Sequence, residues 1–527
     1  MARKSEYKPL LFTTTLRNPE RIKWLLWVLQ KFNGEKLTDD LATTIVGELI
    51  RYGLYRPTKD IPESAKNKWG NTPRGEFGTT LLTDTEVNEI VSNNPQYHKE
   101  AGFSKGYPSR FATIFDFTKE LGFVYFRPNE PIEFSEIGLR YANVINVSLD
   151  NQEIKVEELH PEYETQAFLQ AMSKYQRKNP FIRVLNDNIP LILLLQTIKL
   201  LNADTAYNST GITRKELPLL IFWKDNNAQA LYERIKKLRS EHAYKPSDEV
   251  ICDICINEIM GGSYKKFKPK SIISEYPDEF IRKMRLTGLI TLRGGGRFID
   301  INHNEDQKVD YILKKYSTYK TYEDERAYFD YMATIDENLF QQKTKITTKE
   351  KRQEDLKKWV KAYSFKTIKE ELNILSAKRN SKDDILKFID KPTRLEFLVA
   401  LAIKSKFPHV IVRPNYTTDD EGLPTNTAAG GKGDIECEED QRGILVEVTM
   451  SEGRQQTMME VWPIVRHLEE FSKNYDKAQC IFIAPNIFID SQRQIKYVMD
   501  TEDTHIRAYK INDFTRFIEK ASSLYSN

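Results

Sequence analysis

The stretch 433–449 reads Gly433-Asp434-Ile435-Glu436-Cys437-Glu438-Glu439-Asp440-Gln441-Arg442-Gly443-Ile444-Leu445-Val446-Glu447-Val448-Thr449 and sets two acids, Asp434 and Glu447, thirteen residues apart. From 442 to 449 the residues alternate, with Ile444, Val446 and Val448 on one face and Leu445, Glu447 and Thr449 on the other. That two-residue period is the signature of a strand. A short turn through Glu438, Glu439 and Asp440 lays this strand beside one holding Asp434 and Ile435. Both carboxylates can then converge on one divalent cation, which favours oxygen ligands and can activate a water for attack on a phosphodiester. A hairpin Asp and Glu are more often simply solvated, so the flanking sequence decides.

Upstream, Thr393-Arg394-Leu395-Glu396-Phe397-Leu398-Val399-Ala400-Leu401-Ala402-Ile403 predicts a mostly apolar helix in which Glu396 shares a face with Val399, Ala400 and Ile403. An inward carboxylate is costly unless it is paired or near a cation. Downstream, 454–470 predicts an amphipathic helix with Met458, Val461, Trp462, Val465 and Leu468 inward and Glu460 at its start. A buried strand at 478–485, a helix at 491–499, a strand at 505–510 and a helix at 513–524 follow. The order α-β-β-β-α-β-α-β-α suits a mixed sheet flanked by helices. Between 434 and 470, ten Asp and Glu stand against three Arg and no Lys, a cluster that repels a phosphate backbone unless cations intervene. A solvated acidic surface explains Glu438, Glu439, Asp440, Glu469 and Glu470, but neither Glu396 nor Glu447.

Helix Glu396, strand Asp434 and strand Glu447 together resemble the PD-(D/E)xK nuclease core. More narrowly, Ala428-Ala429-Gly430, Gly433-Asp434-Ile435, Glu447-Val448-Thr449, Glu460 and Pro463-Ile464-Val465-Arg466-His467 are similar to the AlwI-type family of type IIS restriction endonucleases, which includes strand-nicking members. The segment Thr13-Thr14-Thr15-Leu16-Arg17-Asn18-Pro19-Glu20-Arg21-Ile22 resembles the opening of these enzymes. A second signature runs from Arg110-Phe111-Ala112-Thr113 through Leu121-Gly122-Phe123-Val124-Tyr125-Phe126 to Ile132-Glu133-Phe134-Ser135-Glu136-Ile137-Gly138. The resemblance implies a Mg²⁺ site with Asp434, Glu447 and Glu396 as ligands and Glu460 as a fourth catalytic acid. The lysine usual two residues after the strand Glu is Thr449 here, as in the E-V-T subgroup. Positioning of the water then falls to Glu460, to Arg454 or to a second metal.

The 527 residues predict several domains, each with its own core. Lys and Arg number 79 against 76 Asp and Glu, so no global charge argues for nucleic acid. The distribution does: 262–297 carries nine basic residues against three acids, and 341–370 ten against four. Four cysteines are too few for a disulfide scaffold. The pair Cys252 and Cys255 lacks the partners of a structural zinc site. No secretory signal opens the chain, and the apolar run 189–198 is too short to span a bilayer. A soluble, cytoplasmic, prokaryotic protein without a membrane partner is expected.

A helix at about 109–120, the strand 121–126, a Pro-bearing turn and Ile132-Glu133-Phe134 have the pattern of a winged helix. Helix 277–286, strand 287–292, Arg293-Gly294-Gly295-Gly296-Arg297 and Phe298-Ile299-Asp300 repeat it. Winged helices place a helix in the major groove, where basic and amide side chains read base edges. DNA contacts are expected from Lys105, Ser109 and Arg110, from Arg56 and Lys59, and from Lys265, Lys266, Arg282, Arg285 and Arg297. Thr213 is read as the cap of a further helix. The expected class is a multidomain α/β protein. Mainly α winged-helix recognition lobes at 1–150 and 151–305 are joined by a helical linker at 306–384 to a mixed-sheet α/β/α PD-(D/E)xK nuclease domain at 385–527.

The expected activity is Mg²⁺-dependent cleavage of double-stranded DNA at a fixed offset from a short asymmetric site. One nuclease domain cuts one strand, so a double-strand break needs a second copy or a separate small subunit, and a cognate DNA methyltransferase completes such a system. The alternatives are a strand-specific nicking enzyme, a structure-specific repair nuclease, and a winged-helix DNA-binding regulator with an inactive nuclease module.

Overall fold

The computed structural model describes residues 7, 19–100, 102–182, 184–207, 211–262, 268–428, 432–453, 456–457, 460–475, 477–502 and 504–526. Five expectations therefore lie outside the described residues: the opening motif at 13–18, Lys265 and Lys266, Ala429-Gly430, Arg454, and Met458. The chain divides into two compact units, Met1–Thr344 and Lys345–Asn527. Among the described residues no helix is long and apolar enough to cross a membrane.

The first unit is mainly helical. Helix Tyr107–Glu120 leads through Gly122 into the antiparallel strands Val124–Tyr125 and Glu133–Phe134. Gly122 sits at φ 75°, and a Cβ there would lie 2.6 Å from the backbone carbonyl carbon of Met332, so only glycine permits this close turn. The pattern recurs in helix Tyr276–Arg285 and the antiparallel strands Ile290–Arg293 and Phe298–Ile301, with Ile212–Thr213 added beside Phe298 and Ile299. Thr213 thus ends a strand, and the helix read after it begins only at Leu217. A reciprocal pair of bonds between Thr213 and Glu216 precedes that helix, Thr213 N–H donating to Glu216 Oε2 at 2.8 Å and Glu216 N–H to Thr213 Oγ1 at 3.2 Å.

The second unit comprises helices α1 (Lys349–Ala362), α2 (Phe365–Ser376) and α3 (Lys391–Lys406), strands β1 (Ile411–Pro414), β2 (Ile435–Glu439) and β3 (Arg442–Val448), then α4 (Val461–Ser472), β4 (Ala478–Ala484), α5 (Ile489–Thr501), β5 (Ile506–Lys510) and α6 (Ile511–Lys520). A small hairpin, Thr417–Thr418 with Pro424–Asn426, lies between β1 and β2. The sheet order is β5-β4-β3-β2-β1, with β1, β2 and β3 antiparallel and β3, β4 and β5 parallel. Central β3 is buried from Gly443 to Glu447 because both its faces are covered. Leu445, Cys480, Phe482 and Ile506 pack against Val461, Val465 and Leu468 of α4 and Ile495 and Val498 of α5.

Helix α3 is buried at every position from Thr393 to Lys404. A helix apolar on all sides must be covered on all sides, and α1 and α2 both pack against it. These two helices come from the stretch expected to be a linker, whose earlier part, 306–344, belongs to the first unit. Three expectations are corrected. The hairpin turn is Asp440-Gln441, with φ of 51° and 61° as tight two-residue turns require, so Glu438 and Glu439 are strand residues. Glu439 is not solvated: buried, it accepts from Ser523 Oγ at 2.6 Å and Leu524 N–H at 3.1 Å and meets His409 at 2.8 Å, fastening the C-terminal segment. Trp462, expected inside, is 42% exposed.

Candidate active site

The β2–β3 register pairs Ile435 with Val446, which brings Asp434, the preceding residue, opposite Glu447. Asp434 Oδ2 accepts the backbone N–H of Val448 at 2.7 Å, and the Asp434 and Glu447 carboxyls share a hydrogen bond. Gly433 makes room for this approach: a Cβ there would lie 2.3 Å from Leu445 Cδ1 and 2.9 Å from Glu447 Oε1. Glu447 has the same parity along β3 as Leu445 and so faces α4. From that helix His467 Nδ1 lies 2.9 Å from Glu447 Oε1, within hydrogen-bond distance.

Glu396 enters from α3. It is buried, and its Oε2 accepts the N–H of Ala428 at 3.1 Å. Thr449, just beyond β3, donates its hydroxyl to Glu460 Oε1 at 2.7 Å, with Glu460 at the N-terminal end of α4. All four acids expected from the sequence therefore gather around one end of the β2–β3 pair. The sequence reading gave His467 no role. Its signals were its place at the end of the Pro463–His467 run and a position seven residues after Glu460, two turns along one helix face.

Crowding governs the protonation of this cluster. Burial, then the nearby Glu460, pushes Glu447 up to about 8. Burial and then Glu447 hold Asp434 well above the usual carboxylate range, and burial and then Asp434 do the same to Glu396. Burial, then Arg466, lowers His467 and favours its neutral form. A positive charge at the centre of such a cluster would favour the ionised carboxylates. Among the described residues no three acidic, histidine or cysteine side chains already meet as a ligand cluster. The donor set nevertheless fits Mg²⁺, which keeps several waters and is held by one or two carboxylates plus substrate phosphates.

The expected DNA-contact residues separate by environment. Lys59, Lys105 and Arg297 are exposed. Arg110 is half-buried, its Nε and Nη2 donating to Gln96 Oε1 at 3.1 and 2.9 Å. Arg282 and Arg285 are half-buried with partners within their surroundings. Two others are engaged within the fold. Ser109 is fully buried, its hydroxyl donating to Ser104 O and accepting from Glu100 N–H, both at 2.9 Å. Arg56 is a clamp, donating to Gly53 O and Thr72 O at 2.8 Å and to Glu76 O at 3.1 Å. A propensity-based choice of basic and polar residues has no means of separating such clamps from open groups.

The sequence model of the AlwI restriction endonuclease family matches residues 119–391 and 337–516. Among solved structures, the chain is similar to the small subunit R.BspD6I2 of the heterodimeric restriction endonuclease R.BspD6I, with 24% identity and a TM-score of 0.25 over 29% of this chain and 76% of that one. It is similar to the BpuJ1 endonuclease binding domain crystallised with modified DNA, with 16% identity and a TM-score of 0.26 over 42% and 76%. It is also similar to restriction endonuclease FokI bound to DNA, with 12% identity and a TM-score of 0.20 over 98% and 96%. TM-scores this low give the structural likenesses no weight here. No curated protein matches. The family match spans well over half of the sequence, and the chain belongs to the AlwI restriction endonuclease family.

Proposed function

We propose that this site-specific DNA nuclease is a Mg²⁺-dependent enzyme of type IIS organisation, reading a short asymmetric site and cutting a phosphodiester at a fixed offset outside it. The observation that carries the proposal is the meeting of the Asp434 and Glu447 carboxyls, with Glu396 close enough to raise its own proton affinity through Asp434. In this reading the second unit is a PD-(D/E)xK nuclease and the two helix–hairpin elements of the first unit are winged helices that bind double-stranded DNA.

Asp434 and Glu447 would hold the cation and Glu396 would complete its surroundings. Bound there, Mg²⁺ supplies charge neutralisation at the scissile phosphate. His467 fixes the rotamer of Glu447 through its 2.9 Å bond, as partners of metal-ligating groups commonly do. In place of the usual lysine, Thr449 holds Glu460 by its 2.7 Å bond, and Glu460 orients the attacking water and takes up its proton.

One such site serves one strand at a time. A double-strand break then requires a second copy of the chain or a separate small nuclease subunit; without either, the enzyme is a strand-specific nickase. A cognate DNA methyltransferase would protect the host within a cytoplasmic restriction-modification system. The test is supercoiled plasmid with and without Mg²⁺: nicked or linear products with ends at a constant distance from one motif support the proposal. Cleavage following branch geometry, or binding without cleavage, would favour a repair nuclease or an inactive DNA-binding regulator.

A further inference from the structure

Gln96 and Tyr55 hold the guanidinium of Arg110 in one orientation. Arg110 lies in the first turn of helix Tyr107–Glu120. Its Nε and Nη2 both donate to Gln96 Oε1, at 3.1 and 2.9 Å, and its guanidinium carbon stands 5.8 Å from the centre of the Tyr55 ring. Gln96 is itself fixed, its Nε2 donating to Asn94 O at 3.0 Å and its Oε1 accepting from Tyr55 OH at 3.4 Å. Asn94 is anchored in turn, Nδ2 donating to Ile90 O at 3.0 Å and Oδ1 accepting from Lys59 N–H at 3.2 Å.

Geometry decides which part of Arg110 is used and which remains. The Nε–Nη2 edge is spent on one oxygen of Gln96. The Nη1–Nη2 end keeps a pair of N–H donors, and Nη1 has no hydrogen-bond partner among the described residues. Two coplanar donors at that spacing match the O6 and N7 acceptors of guanine in the major groove. Holding the guanidinium beforehand removes much of the entropy cost of ordering a long side chain on binding.

The surroundings suit a polyanion. Lys59, Lys99 and Lys105 are exposed, and Tyr97 is 73% exposed with Lys105 Nζ 5.0 Å from its ring centre. The nearby acid Glu100 is occupied by His98 at 2.6 Å. These groups come from three chain segments brought together by the Asn94 and Gln96 bonds. Lysines positioned this way serve the backbone and leave the base edge to a planar fork.

We infer that Arg110 reads a guanine of the recognised site through its Nη1–Nη2 edge, with Gln96 as its positioning residue and Lys59, Lys99, Lys105 and Tyr97 on the flanking backbone. The inference rests on the proposed site-specific DNA recognition and names the residues that perform it.

The experiment is a binding titration of the full chain, without divalent metal, against a duplex carrying the motif identified from sequenced plasmid cuts. A matched set of duplexes replaces each guanine in turn by 7-deazaguanine, which lacks the N7 acceptor. Wild type should lose about tenfold in affinity at one guanine. Arg110→Met, which removes every donor at nearly the same length, should bind that duplex and the parent alike. Gln96→Ala, a second variant that leaves the arginine intact, should shrink the penalty at the same guanine. Melting curves establish that each variant is folded. Full sensitivity to 7-deazaguanine retained in Arg110→Met, or a wild type indifferent to every N7, overturns the inference and leaves the nuclease reading standing. A wild type that prefers no sequence over random DNA overturns both.

Discussion

Replacing Glu447 by Gln should stabilise the metal-free protein while abolishing cleavage. The carboxyl is buried beside Asp434 and pushed from 4.5 up to about 8 by burial and Glu460. An acid raised in the folded state keeps a proton that the unfolded chain releases. Its contribution to stability is therefore complete below pH 4.5 and is lost as pH rises towards 8. At pH 7 the loss amounts to about 3 kcal/mol, from roughly 1.4 kcal/mol for each pH unit above the unfolded value. Gln removes the titration at little cost in shape. Its carbonyl can still accept from His467, and its amide can donate to Asp434. For a unit of this size about 3 kcal/mol corresponds to roughly 6–12 °C in melting temperature. Melting the full chain in EDTA at pH 5, 7 and 8 should show Glu447→Gln above wild type by that margin at pH 7, with a gap of only about 2–3 °C at pH 5. Excess Mg²⁺ should raise wild type and leave the variant unmoved. A variant that melts with or below wild type at pH 8 refutes the electrostatic account of this site.

Other consequences follow from the same geometry. Gly433→Ala drives a Cβ to 2.3 Å from Leu445 Cδ1 and 2.9 Å from Glu447 Oε1; it should cost about 1–3 kcal/mol in melting experiments and reduce cleavage at every Mg²⁺ concentration. Thr449→Val removes the hydroxyl bonded to Glu460 Oε1 at 2.7 Å; kcat should fall about 10²-fold or more in single-turnover assays, with DNA affinity unchanged. Cleavage should rise with pH towards the value of about 8 held by Glu447, and the midpoint should fall as Mg²⁺ increases, because the cation competes with the proton; a pH–rate series at two metal concentrations measures this. Arg56→Ala should lower the melting temperature more than it lowers DNA affinity, since that side chain already binds Gly53, Thr72 and Glu76.

The second unit was largely legible because its signals are local. Alternation around Glu447 gave the strand, the apolar run around Glu396 gave the helix, and the thirteen-residue spacing placed Asp434 opposite Glu447, as the register has it. What failed depends on contacts distant in sequence. Glu439 reads as a turn acid until Ser523 and Leu524 come to meet it. Trp462 fits the apolar period of its helix yet lies partly outside, and 349–376 looks like a charged linker while its apolar stripe covers α3. In the first unit the limit is sharper. Composition ranks Arg56, Ser109 and Arg110 alike, whereas Thr72, Glu100 and Gln96, each distant or hidden in the pattern, hold one in a clamp, one in the interior and one in a fixed orientation.

The most direct test of the central claim compares purified wild type with Asp434→Ala on supercoiled plasmid in Mg²⁺, with fragment ends sequenced. The account predicts cuts at one fixed distance from a single short motif for wild type, and none for the variant, which still binds that motif. Undiminished cutting by Asp434→Ala would contradict it, because the paired carboxylates at the β2–β3 end would then not be the active site.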